Sequence, residues 1–221
     1  MPRFHPDQFL LNDYAAGSLP GAVALAVAAH LEFCARCRSE AAQLNSLGAQ
    51  IFSQLDPVPV NDDAFQEVMR RIEQTDSPAK PSCAAGHSVP PSGLPRVLST
   101  LIPQGLDGLD WRRISTWLRV ARLRFGDNTR EVVLHHISAG GRVLEHGHAG
   151  TETTVVLRGR FSDQDGCYEA GDFLARGPAD VHRPVAAEAT DCLCLAVLDA
   201  PIRLTGLLGL IANPFLRIHP R

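Results

Sequence analysis

His30, Cys34 and Cys37 stand four and three residues apart in the segment HLEFCARC. In an α-helix, positions i, i+4 and i+7 share one face within about two turns, so one imidazole and two thiolates meet at a common point. That donor set suits zinc in a tetrahedral shell, which needs a fourth ligand. His5, just ahead of the first predicted helix, completes a Cys2His2 set; Cys83 or a water are the alternatives for that place. A shell filled by protein describes a structural metal, not a catalytic one. A CxxC alone reads equally as a redox pair, and a His on an Ala-rich helix as an ordinary surface or core residue. It is their combination that points to a metal, because a redox pair has no need of a His one turn earlier.

A second constellation lies in GGRVLEHGHAGTETTVVLRG, residues 140 to 159. His146 and His148 point the same way from a strand, because side chains alternate with period two. Glu152 follows, and a later turn, GDFLARGPADVH, offers His182. Three imidazoles and a carboxylate form a site for a divalent first-row metal, whereas HxH alone would read as a surface pair. Cys192 and Cys194 also share one face of a predicted strand, either as two buried apolar side chains or as an oxidisable pair. His135 and His136, neighbours on a strand, face opposite ways, and no further acid, base or nucleophile cluster accompanies the ligands.

The elements that must position these groups change character along the chain. Residues 6 to 75 read as helices. Asp7 starts the first, through about Ala16, and Ser18 with Pro20 reads as cap and first-turn proline of the second. A third carries Leu44, Leu47, Ile51 and Leu55 until Pro57 and Pro59 stop it. Asn61 or Asp62 then caps a fourth, in which Phe65, Val68, Met69 and Ile72 form an i, i+3, i+4, i+7 stripe on a charged background. The stripe is either a core face or the face of a detachable binding helix. Between Asp76 and Pro95, five prolines among Ser, Gly and Ala read as a linker. Beyond it RVARLRF, EVVLHHI, ETTVVLRGRF and DCLCLAVL are strand candidates separated by turn residues, with Trp111 and Trp117 expected in the core and an apolar tail from Leu204 packing on them.

The length of 221 residues and 45% hydrophobic content suit one or two globular domains. No stretch reads as membrane span or signal peptide, which places the protein in the cytoplasm with its six cysteines reduced unless they bind metal or sense oxidants. The formal charge of -3 is uneven: Met1 to Asp76 holds five Lys or Arg against ten Asp or Glu, a net of -5. Nucleic-acid binding calls for a basic face, so an acidic helical half argues for a basic protein partner and against a DNA-binding repressor.

The pattern of Gly140, five residues, HxH, three residues, Glu152, six residues and Gly159 resembles the first cupin motif at every defined position. The second is matched at Gly171, Pro178 and His182, with Asp180 where the usual turn glycine stands and Ala186 where the usual asparagine stands. HxxxCxxC with an upstream His, followed by a Pro-rich joint and a cupin, is similar to the ChrR-type zinc anti-sigma factors across nearly the whole chain. The resemblance implies a multidomain α + β protein: a zinc-stabilised bundle of about four helices over 1–76, a linker over 77–96 and a cupin β-barrel over 97–221. It implies zinc at His5, His30, Cys34 and Cys37, and zinc or another divalent metal at His146, His148, Glu152 and His182. The helical half would bind an extracytoplasmic-function sigma factor, with Asp62, Asp63, Phe65, Glu67 and Met69 as contacts and no direct role for nucleic acid or membrane. The barrel would serve release by singlet oxygen or an organic peroxide. The competing expectation is a metal-dependent cupin enzyme, dioxygenase- or isomerase-like, with a helical zinc appendage.

Overall fold

A computed structural model describes residues 1–74, 94–126, 129–178, 180–206 and 213–215. Helix α1 (Gln8–Ala15) starts at Asp7, whose carboxylate accepts from the Leu10 amide at 2.8 Å. Helix α2 (Gly21–Phe33) begins after Pro20 with no side-chain cap; the Ser18 hydroxyl instead donates to the Asp13 carbonyl, closing the turn after α1. Helix α3 (Ala35–Ser53) follows after one residue. His30, Cys34 and Cys37 therefore do not lie on one continuous helix. Cys34 is extended (φ -111°, ψ 103°) and serves both as the C-cap of α2 and as the N-cap of α3, where its sulfur accepts from the Cys37 amide at 3.5 Å. The break turns the last turn of α2 and the first of α3 toward one point, so the ligands still converge.

Helix α4 (Ala64–Gln74) carries the predicted stripe but has no buried residue: Phe65, Val68, Met69 and Ile72 are 69%, 54%, 38% and 60% exposed. Leu47, Ile51, Phe52 and Leu55 on and after the C-terminal half of α3 are exposed as well. Residues 77 to 93 of the expected linker lie outside the described residues. At its far end Leu94 is buried and a short helix, α5 (Arg96–Leu101), packs on α2. Glu32 of α2 fixes this return, its carboxylate accepting from the Arg96 and Val97 amides at 2.8 and 3.0 Å.

The strands are β1 (Arg112–Arg113), β2 (Leu118–Arg122), β3 (Glu131–Ile137), β4 (His146–His148), β5 (Glu152–Arg158), β6 (Arg160–Ser162), β7 (Cys167–Glu169), β8 (Phe173–Arg176), β9 (Val181–His182), β10 (Val185–Ala186), β11 (Cys192–Leu198) and β12 (Ile202–Leu204). Six form an antiparallel sheet in the order β1-β2-β3-β11-β5-β8; two three-stranded sheets, β10-β6-β7 and β12-β4-β9, pack against it. The large sheet is apolar on both sides. Val132, Leu134, Val155, Leu157, Leu193, Leu195 and Val197 join the core formed with α2 and α5. Val133, Ile137, Val156, Cys192, Cys194 and Ala196 face the smaller sheets. Burial on both sides explains the near-continuous apolar runs of β3, β5 and β11.

Trp111 packs partly buried with its indole donating to the Leu106 carbonyl at 2.8 Å, whereas Trp117 is largely exposed, contrary to the expected core role. Of the apolar tail, residues 207–212 and 216–221 lie outside the described residues; Asn213 pairs through its side chain with Leu204. Leu195, fully buried between sheet and helices, tests this shared core. Leu195→Ala should cost about 2–5 kcal/mol in denaturant unfolding of the full chain.

Candidate metal centres

His5 arrives on an extended N-terminal strap. Asp172, at the start of β8, accepts from the Arg3 and Phe4 amides at 2.6 and 3.1 Å, and the Phe173 amide donates to the Phe4 carbonyl at 3.0 Å. The Phe4 ring meets Tyr168 edge-on with centroids 4.8 Å apart. The strap places His5 Nδ1 3.4 Å from both Cys34 Sγ and Cys37 Sγ. His30 sits in the last turn of α2, fully buried, and its Nδ1–H donates to the Gly171 carbonyl at 2.6 Å. That bond leaves His30 Nε2 aimed inward with no hydrogen-bond partner. The four ligand atoms lie within 4.8 Å of one another. A tetrahedral zinc with bonds near 2.0–2.3 Å needs ligand separations of roughly 3.3–3.8 Å, so small inward shifts close the shell.

The electrostatics fit a cation. Burial pushes His30 down to about 4, so it is the neutral imidazole a metal binds. Burial, with the Cys34 thiol beside it, pushes Cys37 up to about 12. Without a cation the Cys37 thiol stays protonated; a bound metal supplies the charge that makes it a thiolate.

The second centre lies inside the barrel. His146 and His148 share β4, Glu152 opens β5, and His182 pairs directly across from His146 in β9. All four are buried, with ligand atoms again within 4.8 Å of one another. His146 Nδ1–H donates to the Leu144 carbonyl at 2.8 Å and His182 Nδ1–H to Asp163 Oδ2 at 3.2 Å, fixing tautomers that leave the two Nε2 atoms facing each other at 3.1 Å. Two lone pairs at that distance repel unless a proton or metal lies between them. His148 Nε2 is likewise buried without a hydrogen-bond partner, and the buried Glu152 Oε2 lies 3.3 Å from His148 Nδ1. Burial, followed by the neighbouring His146, lowers His182 to about 4. Burial drives the Glu152 carboxyl up, yet the surrounding imidazoles, His135 foremost, outweigh it and the net shift is downward. Orphaned lone pairs on neutral imidazoles beside a carboxylate are what a divalent cation satisfies.

Beside this quartet is a cavity of about 230 Å³ walled by apolar side chains including Val133, Phe161 and Ile202, with His135 and Cys194 in its wall. Cys192 and Cys194 lie with sulfurs 3.7 Å apart, both buried; the bond to Cys192, then burial, holds the Cys194 thiol protonated. His136 faces the other way, toward Asp191. The irregular second motif is explained by Asp180, whose carboxylate accepts from the Gly177 amide at 2.6 Å and closes the turn that a glycine usually makes.

All eight predicted ligands thus fall into two clusters. Asp62, Asp63, Phe65, Glu67 and Met69 lie together on the exposed α4 and its approach, with Glu67 already paired to Arg70 and Arg71 at 2.7 and 2.8 Å. Sequence reasoning named Gly171 only as a motif position and missed the supporting residues Asp163, Asp172 and Arg176. Only the Gly-Asp pair inside the second motif hinted at them.

A helical unit with one candidate metal cluster, packed on a barrel with a second, has the make-up of a zinc-finger-like unit joined to a cupin. Residues 8–38 match the family described as putative zinc-finger, and residues 104–200 match the ChrR Cupin-like domain. The chain is 33% identical over 216 residues to the anti-sigma-E factor ChrR of Cereibacter sphaeroides, covering 98% of this chain and 99% of that protein. The crystal structure of Rhodobacter sphaeroides SigE in complex with the anti-sigma ChrR matches with a TM-score of 0.76 and 32% identity, over 90% of this chain and 100% of that one. The chain belongs to the ChrR family of anti-sigma factors, regulatory proteins and not enzymes.

The two clusters share no ligand, so they should empty separately. Elemental analysis of the purified chain is expected to give two metal equivalents. Cys34→Ser with Cys37→Ser, or His148→Ala alone, should each leave about one.

Proposed function

We propose that this chain sequesters an extracytoplasmic-function sigma factor in the cytoplasm through its helical half and releases it on oxidant exposure sensed in the barrel. The relative of known structure was crystallised with its sigma factor SigE. The observation that carries the reading to this chain is the apolar surface of α4 and the C-terminal half of α3, which no described residue covers. Four apolar side chains on one face of a charged helix, with no buried residue, mark a surface that a partner covers. Asp62, Asp63 and Glu73 set acidic charge beside it for a basic partner surface, while Glu67 is largely committed to its own arginines.

In this reading the Cys2His2 cluster holds zinc, which supplies folding free energy to a small bundle, on the order of 10 kcal/mol in zinc-finger peptides. The barrel quartet holds zinc or another divalent metal, and the cavity beside it admits a small apolar oxidant such as singlet oxygen or an organic peroxide. Cys192 and Cys194 are close enough to be oxidised together, giving up two hydrogens to the peroxide and joining as a disulfide while the peroxide leaves as alcohol and water. No described helix is long and apolar enough to cross a membrane.

The test is copurification of the full chain with the sigma factor encoded beside it, through a tag on one partner. A stoichiometric complex is expected. Phe65→Glu with Met69→Glu should weaken it at least 100-fold without loss of metal, since two anchors of this kind are worth about 1–2 kcal/mol each or more. A fully metallated chain that captures none of the host's sigma factors would overturn the reading.

A further inference from the structure

The zinc cluster is not built by the helical half alone. Three of its ligands, His30, Cys34 and Cys37, come from the α2–α3 break, but the fourth, His5, is carried by a strap whose polar anchors belong to the barrel. Asp172 is 1% exposed, and its carboxylate accepts three amides: Arg3 and Phe4 through Oδ1, Glu169 through Oδ2 at 2.7 Å. One carboxylate therefore ties the barrel turn to the strap one residue before the ligand. The Phe173 amide adds a further bond to the Phe4 carbonyl, and the Arg3 guanidinium reaches the Cys167 carbonyl.

The same turn supports a second ligand. The Gly171 carbonyl accepts from His30 Nδ1 and so selects the ring nitrogen offered to the metal. Gly171 has φ +95°, and a Cβ there would lie 2.7 Å from both Phe33 Cβ and Pro2 Cγ. The turn is wedged between α2 and the strap with no space for a side chain.

We infer that Asp172 is a positioning residue for the zinc ligand His5, and that the barrel turn Glu169–Phe173 is a structural part of the N-terminal zinc site. The strap has few other anchors: Phe4 packs on Tyr168, again a barrel residue. Freed of Asp172, His5 samples many positions, and the shell reverts toward three ligands plus water. The barrel end of the same strand is tied as well, since Arg176 of β8 pairs with Asp163 at 2.5 Å and Asp163 accepts from the barrel ligand His182.

The experiment uses the full chain loaded with Co²⁺. Only the N-terminal cluster has sulfur ligands, so thiolate-to-cobalt charge transfer reports that site alone, and its decay against excess chelator gives the release rate. Asp172→Asn should release cobalt at least tenfold faster than wild type and alter the visible d–d bands toward those of His5→Ala. Asp172→Asn combined with His5→Ala should be no faster than His5→Ala alone, because the carboxylate acts through that ligand. Arg3→Pro removes from the strap both the amide donor to Asp172 and the guanidinium donor to Cys167, and leaves the barrel turn intact; it should also speed release, which keeps the test decisive if the buried substitution impairs folding. Wild-type release from Asp172→Asn or from Arg3→Pro, or a full additional acceleration on top of His5→Ala, would overturn the assignment. Each outcome is read without the sigma factor, so it stands apart from the test of partner binding.

Discussion

Burial of the six-stranded sheet on both faces is the constraint on which the rest of the molecule depends. Each of β3, β5 and β11 carries apolar side chains up and down, so one cover cannot suffice. The smaller sheets cover one face and enclose the His146, His148, Glu152 and His182 quartet. Helices α2 and α5 cover the other, and in doing so bring the α2–α3 break against the turn before β8. The two candidate metal clusters are placed by opposite sides of one sheet.

Both clusters also solve the same desolvation problem. A buried imidazole or thiol loses water without gaining a partner, and the orphaned nitrogens of His30 and His148 record that cost. In each cluster a carbonyl or carboxylate takes the far nitrogen of a histidine, Gly171 for His30, Leu144 for His146 and Asp163 for His182. These bonds fix direction before any metal arrives, so little freedom remains to be lost on binding.

Much of this was legible in the sequence wherever one short period settles geometry. Period two alone puts His146 with His148 and Cys192 with Cys194, and separates His135 from His136. The helical spacing of His30, Cys34 and Cys37 picked out side chains that do converge, but for a partly wrong reason, because local spacing is blind to a one-residue break whose cap is itself one of the three. Ser18 looks like a cap in sequence but has a closer acceptor in Asp13. Helix α5 and the roles of Gly171 and Asp172 could not be read locally at all: they depend on contacts reaching 64, 141 and 169 positions along the sequence. Whether an apolar stripe is core or docking face is likewise undecided by periodicity, and only the absence, among the described residues, of an element covering α4 distinguishes them.

That bare helix also governs the lifetime of the uncomplexed chain. With no buried residue, α4 opens at almost no free-energy cost, and opened backbone is what proteases cut. A partner laid over Phe65, Val68, Met69 and Ile72 shields the same peptide bonds it uses for recognition. Chain with that face uncovered is therefore expected to be cut at α4 sooner than chain whose partner covers it.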